Sequence, residues 1–209
     1  MPSRRPTRIL AATLLATAAL AAGAQDRMPP LPTEQLTEQQ AQALAEHVAA
    51  RGQPTGPWLV LLRSPELMKR TRGLSDYLRF ESVLPGYLRE LVILMTARQW
   101  GQSYEWYAHY PLGLDEGLSA ELMQAIAEGR RPESMVEEET ILYELCMELQ
   151  RNHGISDATY ERAVERFGEQ GVVETVSLVG YYTMIAMILN TARTPLPDGA
   201  KPALAPFPY

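Results

Sequence analysis

Residues 172–189 are nearly all apolar, and this run limits the folds open to the chain. A run of this length approaches what a helix needs to cross a membrane. Glu174 and Gly180 interrupt it, and Tyr181 and Tyr182 lie in its middle rather than at the interfaces where tyrosine is favoured. We therefore predict a central helix buried by its own fold and by a partner subunit, with a transmembrane helix as the alternative.

The rest of the chain also has helical periodicity. No stretch alternates apolar and polar residues between turn signals, so the predicted fold class is all-α. Gly73 is a possible break, and Pro111 with Gly113 is predicted to close the short helix capped by Ser103. Helices are predicted over residues 34–51, 64–78, 85–100, 103–110, 118–128, 137–152 and 156–167.

The first 24 residues have the pattern of an export signal. Three arginines precede an uncharged apolar stretch, residues 9–22, and small residues at Ala22 and Ala24 suit a signal peptidase. We expect cleavage between Ala24 and Gln25 and a periplasmic or secreted protein. An uncleaved anchor is the alternative, which the shortness of the apolar stretch disfavours.

The mature chain is predicted to have three parts. Residues 25–63 form an N-terminal extension with one helix, residues 64–193 form the main helical domain, and residues 194–209 form a proline-rich tail. Five prolines exclude helix and central strand from the tail, so it should be extended. It is either free or lies along an apolar surface of its own subunit or a neighbour.

Charge and cysteine content narrow the possible partners. The formal net charge is −6, and all 25 acidic residues follow the signal segment. This argues against nucleic acid and against anionic membrane surfaces after cleavage. Cys146 is the only cysteine, so no intramolecular disulfide can form. Its neighbours are apolar at helical spacing, which predicts a buried and unreactive thiol.

A carboxylate and an imidazole are placed to work together. Glu105 and His109 are four residues apart, so they share one face of a helix. Such a pair is suited to proton transfer. The start of the helix should stabilise an ionised Glu105, whereas burial would favour its neutral form. The alternative is an ordinary acid that complements the helix dipole.

Other candidates surround this pair. Tyr104 can donate a hydrogen bond to an oxyanion, and Glu90 lies on an apolar helix, where its charge must be paired. Arg89 or Arg98 can bind a substrate carboxylate. Trp106 is a candidate wall of the substrate site, with simple packing as the alternative. The candidate residues are Glu105, His109, Tyr104 and Glu90 for catalysis, and Arg89, Arg98 and Trp106 for substrate binding.

No cofactor or metal is expected. The chain has no glycine-rich phosphate loop, dinucleotide fingerprint or nucleophile elbow. Glu105, His109 and Glu90 could supply ligands, but the chain has only three histidines and no paired-histidine motif.

Several motifs in order resemble the carboxymuconolactone decarboxylase family, which is grouped with the alkylhydroperoxidase D-like proteins. The resemblance covers roughly residues 65–200 and implies a compact bundle of six or so helices, assembled as a trimer or hexamer. It places the site near the start of the helix after Gly101. The motifs are residues 89–94 (Arg-Glu-Leu-Val-Ile-Leu), 97–98 (Ala-Arg), 104–106 (Tyr-Glu-Trp), His109, 155–157 (Ile-Ser-Asp), 173–174 (Val-Glu) and 180–182 (Gly-Tyr-Tyr).

The same resemblance separates two kinds of chemistry. The peroxidase branch has a glutamate, a Cys-x-His-Cys cluster and a final histidine. Here Gln102 and Glu105 occupy the two cysteine positions and Tyr104 the middle histidine, while Glu90 and His109 match the outer residues. Thiol peroxidation needs a thiolate and a resolving partner, so a dithiol peroxidase is not expected.

The remaining pair resembles the decarboxylase branch. It implies a lyase or isomerase that moves protons on a small carboxylated lactone or β-keto-acid-like compound. The alternatives are a non-catalytic periplasmic binding or scaffold oligomer and, less favoured, an alkylhydroperoxidase-type antioxidant protein.

Overall fold

The computed structural model describes residues 26–204, and this part of the chain is built from helices with no strand. The predicted all-α class is confirmed. A 3₁₀ turn (Thr33–Gln35) precedes the first helix, and a π-helical segment (Tyr77–Glu81) extends the third. The helices are α1 (Glu38–Arg51), α2 (Pro57–Leu61), α3 (Pro65–Asp76), α4 (Gly86–Gln99), α5 (Ser103–Asp115), α6 (Ala120–Ala127), α7 (Glu137–Asn152) and α8 (Asp157–Ala192).

Helix α4 lies at the centre of the bundle. It packs against α5, α6, α7 and α8, and it is buried almost continuously from Leu88 to Arg98. The apolar residues Leu88 and Leu91 have no exposed surface, and the charged Glu90 is also buried. A helix that is apolar on all sides belongs in the interior of a fold, which explains why residues 85–100 lack an obvious polar face.

Helix α8 packs against α4 and α7 but keeps one face outside. Val173 is 63% exposed and Met187 43% exposed, so the chain's own fold buries only part of this helix, and its burial by a partner subunit stays a prediction. Gly168 has φ 70° and ψ 169° and marks a kink between two helical parts of α8. By length and composition α8 is the one helix in residues 26–204 that could cross a membrane. However, 56% of its most apolar 18-residue stretch is buried in the fold.

Two predicted helix ends are wrong. Helix α1 begins at Glu38 rather than residue 34, because Thr37 and Gln40 cap it reciprocally through each other's backbone amides. Helix α5 continues through Pro111 to Asp115. Gly113 lies inside the helix rather than at its end. A Cβ there would lie 3.0 Å from the Met123 sulfur, so the glycine allows close packing against α6.

Gly73 also lies inside a continuous helix. Helix α3 runs past it to Asp76, and the chain then widens into the π-helical segment rather than breaking. The predicted export signal, residues 1–24, lies outside the described residues. The described part of the tail runs along the fold, with Leu204 buried and Leu196 half-buried. The tail's last five residues also lie outside the described part of the chain.

One buried carboxylate ties the π-helical segment to α8. Glu174 accepts hydrogen bonds from the Tyr77 hydroxyl (2.6 Å), the Ser82 hydroxyl (2.6 Å), the Val83 amide (2.9 Å) and the Gln170 side chain (2.8 Å). Burial raises the pKa of this carboxyl, but the four hydrogen bonds outweigh burial and lower the pKa to about 2. The ionised form therefore stabilises the fold.

Glu174→Gln should lower the free energy of unfolding at pH 7 by about 2 kcal/mol, because hydrogen bonds to a charged acceptor are lost. A depressed pKa contributes stability that is complete above the ordinary glutamate value of 4.5 and is lost as pH falls toward 2. In urea unfolding, the difference in free energy of unfolding between wild type and variant should therefore decrease as pH falls from 4.5 toward 2. The exposed Glu169→Gln on the same helix is the control; a gap independent of pH would contradict this account.

Candidate active site

The turn between α4 and α5 aims the start of α5 back at α4. Gly101 takes a left-handed conformation (φ 57°), which an L side chain rarely adopts. Gln102, not Ser103, caps the helix, and its side-chain oxygen accepts a 2.6 Å hydrogen bond from the Tyr104 amide. The Gln102 amide group also donates to Asn190 on α8 (2.9 Å), so three helices hold this turn in place.

Three of the predicted residues converge on one another. The Nδ1 atom of His109 lies 2.6 Å from Oε2 of Glu90, and its Nε2 atom lies 3.6 Å from Oε2 of Glu105. The exposed fractions are only 5% for His109, 7% for Glu90 and 4% for Glu105. Helix α4 therefore supplies one carboxylate and α5 supplies the other, with the imidazole between them.

The contact with Glu90 sets the orientation of the imidazole. With Nδ1–H donating to the Glu90 carboxylate, Nε2 is the unprotonated nitrogen and faces Glu105. Tyr182 on α8 approaches from the other side, with its hydroxyl 3.2 Å from Nε2 and its ring edge-on to the imidazole. In this tautomer Tyr182 donates to Nε2. The arrangement has the logic of a base oriented by a buried carboxylate.

Burial determines the direction in which the pKa of Glu105 is shifted. Burial raises the pKa of this carboxyl, while His109 and Arg79 lower it and Glu90 raises it further. The net pKa is raised, so the stabilising effect expected at the start of a helix does not prevail. Glu105 therefore holds a proton to higher pH than an exposed glutamate, and once ionised it takes a proton back more readily.

The pair opens onto a small cavity of about 160 Å³. Tyr104, Glu105 and His109 line it, which places three sequence-predicted residues in one chamber. The cavity is smaller than the sites that hold drug-sized ligands, so it suits a small molecule or one part of a larger one. Its other functional side chains are Arg51, Arg79, Trp58, Ser75, Tyr181 and Tyr182.

Arg79 is a functional candidate that the sequence did not indicate. Its guanidinium lies 4.0 Å from Glu90, and its buried Nε has no hydrogen-bond partner among the described residues. Arg51 also lines the cavity but pairs with Asp76 and donates to Ser75 (3.1 Å). Arg79, whose ion pair with Glu90 is 4.0 Å long, is therefore the less closely paired of the two cations of this cavity. No motif marks it, because the π-helical segment that carries it was not predicted.

Tyr182 was also missed as a site residue. It lies in the apolar run of α8, where the sequence pattern indicates packing. Burial raises the pKa of Tyr182 far above the ordinary tyrosine value and raises the pKa of its neighbour Tyr181 to about 12. Both hydroxyls therefore stay protonated and act as hydrogen-bond donors.

The three predicted substrate-binding residues do not line this cavity. The Arg89 side chain donates to the Leu84 carbonyl (2.5 Å), and Trp106 is a core residue whose ring packs beside Tyr110. Each is adjacent in sequence to a site glutamate and so points about 100° away around its helix. Arg98 is buried beside Gly129 and lines a different cavity, about 12 Å along α4 from Glu90.

Cys146 is fully buried, as predicted, and burial raises the pKa of its thiol to about 12. A thiol in that environment is neither a nucleophile nor a redox centre at neutral pH. Among residues 26–204, no group of three or more His, Cys, Asp or Glu side chains is arranged to hold a metal ion.

Comparison with known proteins identifies the fold. The chain is similar to a crystal structure with an alkylhydroperoxidase AhpD core, an uncharacterized peroxidase-related protein from Ralstonia eutropha JMP134. The TM-score is 0.65 at 15% sequence identity, and the match covers 82% of this chain and 92% of that one. Neither a family profile nor a curated protein matches the sequence. The protein therefore has an AhpD-like all-α fold.

Glu105→Gln should stabilise the fold at high pH. A raised pKa means that the unfolded chain ionises more readily than the folded one, so the wild type loses stability as pH rises above 4.5. The glutamine side chain has the same shape but does not ionise, so the variant does not lose stability in this way. In chemical unfolding the variant should be more stable than wild type at pH 8 and equal to it near pH 4. A variant that is less stable at pH 8 would show that the ionised carboxylate is well paired.

Proposed function

We propose that this AhpD-like protein is a cofactor-independent lyase or isomerase of the carboxymuconolactone decarboxylase type. It would act by general acid–base catalysis on a small carboxylated lactone or β-keto-acid-like compound. The observation that carries the proposal is one imidazole held between two buried carboxylates, next to a small cavity with a cationic wall. Groups of this kind, close together and shielded from water, favour proton transfer.

Each residue has a role that its position supports. Glu105 acts as the base, because its raised pKa makes the carboxylate a strong proton acceptor. Nε2 of His109 takes over the proton that Glu105 has removed, and the imidazolium then returns it to the substrate or stabilises an oxyanion. Glu90 is a positioning residue, since it holds Nδ1 of His109 and does not line the cavity. Tyr104 serves as a hydrogen-bond donor near the developing negative charge, whereas Tyr182 donates to Nε2 of His109 and helps to hold the imidazole.

The same groups serve two closely related reactions. In an isomerisation, Glu105 removes a proton next to a carbonyl, and the proton returns at a different carbon. In a decarboxylation, carbon dioxide leaves, the electrons of the broken carbon–carbon bond form an enolate, and the Glu105–His109 pair protonates that carbon. Neither route needs an oxidant or an electron carrier.

Arg79 is the residue that we propose for binding the substrate carboxylate, in place of Arg89 and Arg98. Its side chain is only partly exposed, it lines the cavity, and its ion pair with Glu90 is 4.0 Å long. A guanidinium holds a carboxylate with defined geometry, and low water content strengthens the contact. The reacting carbon would then lie between Arg79 and the Glu105–His109 pair.

Thiol peroxidase activity is disfavoured although the fold is AhpD-like. A dithiol cycle needs two cysteines that form a disulfide, and this chain has one. That cysteine, Cys146, is on α7 and does not line the cavity that contains Glu105 and His109. A fold similar to that of a peroxidase-related protein therefore does not imply thiol peroxidase chemistry at this site.

We further propose a homotrimer or homohexamer. The exposed face of α8 carries Val173, Val176 and Met187, which are 63%, 39% and 43% exposed. Apolar side chains spaced along one helix face are costly to leave in water and commonly contact another subunit. A solution mass of a single chain would exclude this assembly.

Export to the periplasm or the medium is proposed from the pattern of residues 1–24 alone. Mass spectrometry of the exported protein should show a mature N-terminus near Gln25. An intact N-terminus would favour an anchored protein.

Glu105→Gln should reduce turnover about 100- to 10,000-fold, the range typical for loss of a general base. Turnover would be followed by proton NMR in deuterated buffer over a panel of carboxylated lactones and β-keto acids. Wild type should show carbon dioxide loss, ring isomerisation or deuterium uptake, and the variant should not.

Glu121→Gln is the matched control, because it makes the same change in the first turn of a helix at an exposed residue. Full activity in Glu105→Gln would remove Glu105 from the mechanism. A folded wild type that converts no compound in the panel would favour the non-catalytic binding or scaffold role.

A further inference from the structure

A second cavity of about 340 Å³ adjoins the first. It lies between the lead-in to α1, helix α2 and the start of the tail. Two bonds hold its edges in place: the Arg27 amide donates to the Ala192 carbonyl (2.8 Å), and Arg63 donates to the Pro29 carbonyl (2.6 Å). Its apolar lining is Met28, Leu59, Val60, Pro195, Leu196 and Pro197.

Thr55 and Tyr104 line both cavities and form the wall between them. The wall is closely packed, because a Cβ on Gly56 would lie 2.2 Å from the Tyr104 ring. Gly56 also has φ +51°, so two independent reasons favour glycine there. The ring of Tyr104 therefore lies directly between the proton-transfer pair and the apolar cavity.

The polar groups of the second cavity indicate what it can hold. Thr194 also lines it. Asp26 and Asp198 lie on the same lining and would repel a second anion. The first cavity, by contrast, has Arg51 and Arg79.

We propose that the two cavities together bind a monocarboxylic acid with a neutral apolar arm. The carboxylate lies beside Arg79, which rests on the proposed function, and the arm reaches the second cavity once the Tyr104 side chain turns out of the wall that it forms with Thr55. The charge pattern selects against dicarboxylates, because their far end would meet Asp26 and Asp198.

The test uses straight-chain carboxylic acids from acetate to decanoate as probes, with binding measured by calorimetry at pH 7. Each methylene that enters the apolar cavity should tighten binding about fourfold. Leu196→Glu should abolish this dependence on chain length, so that decanoate binds no more tightly than acetate. The control is Leu67→Glu, which makes the same change at an exposed leucine that lines neither cavity.

Dicarboxylates provide the second arm of the experiment. They should bind more weakly than monocarboxylates of equal length, and Asp198→Lys should narrow that gap. An affinity independent of chain length, or equal binding of mono- and dicarboxylates, would overturn the proposal. The proposal would also be overturned if Leu196→Glu left the length dependence intact but changed the mass of the assembly. That result would mean that a second copy of the chain, rather than the acid, covers the cavity.

Failure here is distinguishable from failure of the proposed function, because binding is measured without turnover. A clear length dependence in a protein that converts no substrate would uphold the two-cavity site and reject the lyase. Proton-transfer activity with a flat length dependence would do the reverse. Absence of binding by every acid would overturn the two-cavity site.

Discussion

The contact between Glu90 and His109 is the interaction on which the site depends. A charged group in the interior must be paired, and truncating one partner leaves the other unsatisfied. The 2.6 Å contact joins the central helix α4 to α5 and sets which imidazole nitrogen faces the cavity. Because α4 is packed on all sides, the position of the site is coupled to the core of the bundle. Glu105 and Tyr182 then complete the surroundings of Nε2.

The buried pair has opposite consequences for stability and for function. Burial raises the pKa of Glu105, which is unfavourable for the fold when the group is ionised. The same burial makes its carboxylate a better base, and active sites commonly retain such unfavourable groups. Glu174 shows the contrasting case: burial raises its pKa too, but four hydrogen bonds outweigh burial and lower the pKa to about 2. The two glutamates thus have opposite pKa shifts because their hydrogen-bond partners differ.

Local patterns in the sequence were sufficient for much of the account. The all-α class followed from periodicity, and the four-residue spacing of Glu105 and His109 placed them on one face, as the structure has them. Arg79 and Tyr182 could not be found in this way, because their approach depends on a π-helical segment and on the docking of α8. The end predicted for α5 at Pro111 was wrong, because the helix continues past this proline to Asp115, where Gly113 packs closely against α6. Spacing within a helix is local information, whereas convergence of helices is not.

The most direct test of the central claim is nitrogen-15 NMR of the imidazole side chains. Spectra of wild type and Glu90→Gln would be recorded at pH 7, with His109 assigned from a His109→Asn variant. The account predicts a proton on Nδ1 of His109 that resonates far downfield and exchanges slowly, and that loses both properties in Glu90→Gln. A His109 that carries its proton on Nε2 alone, or a spectrum unchanged by Glu90→Gln, would contradict the claim that Glu90 orients the imidazole toward Glu105.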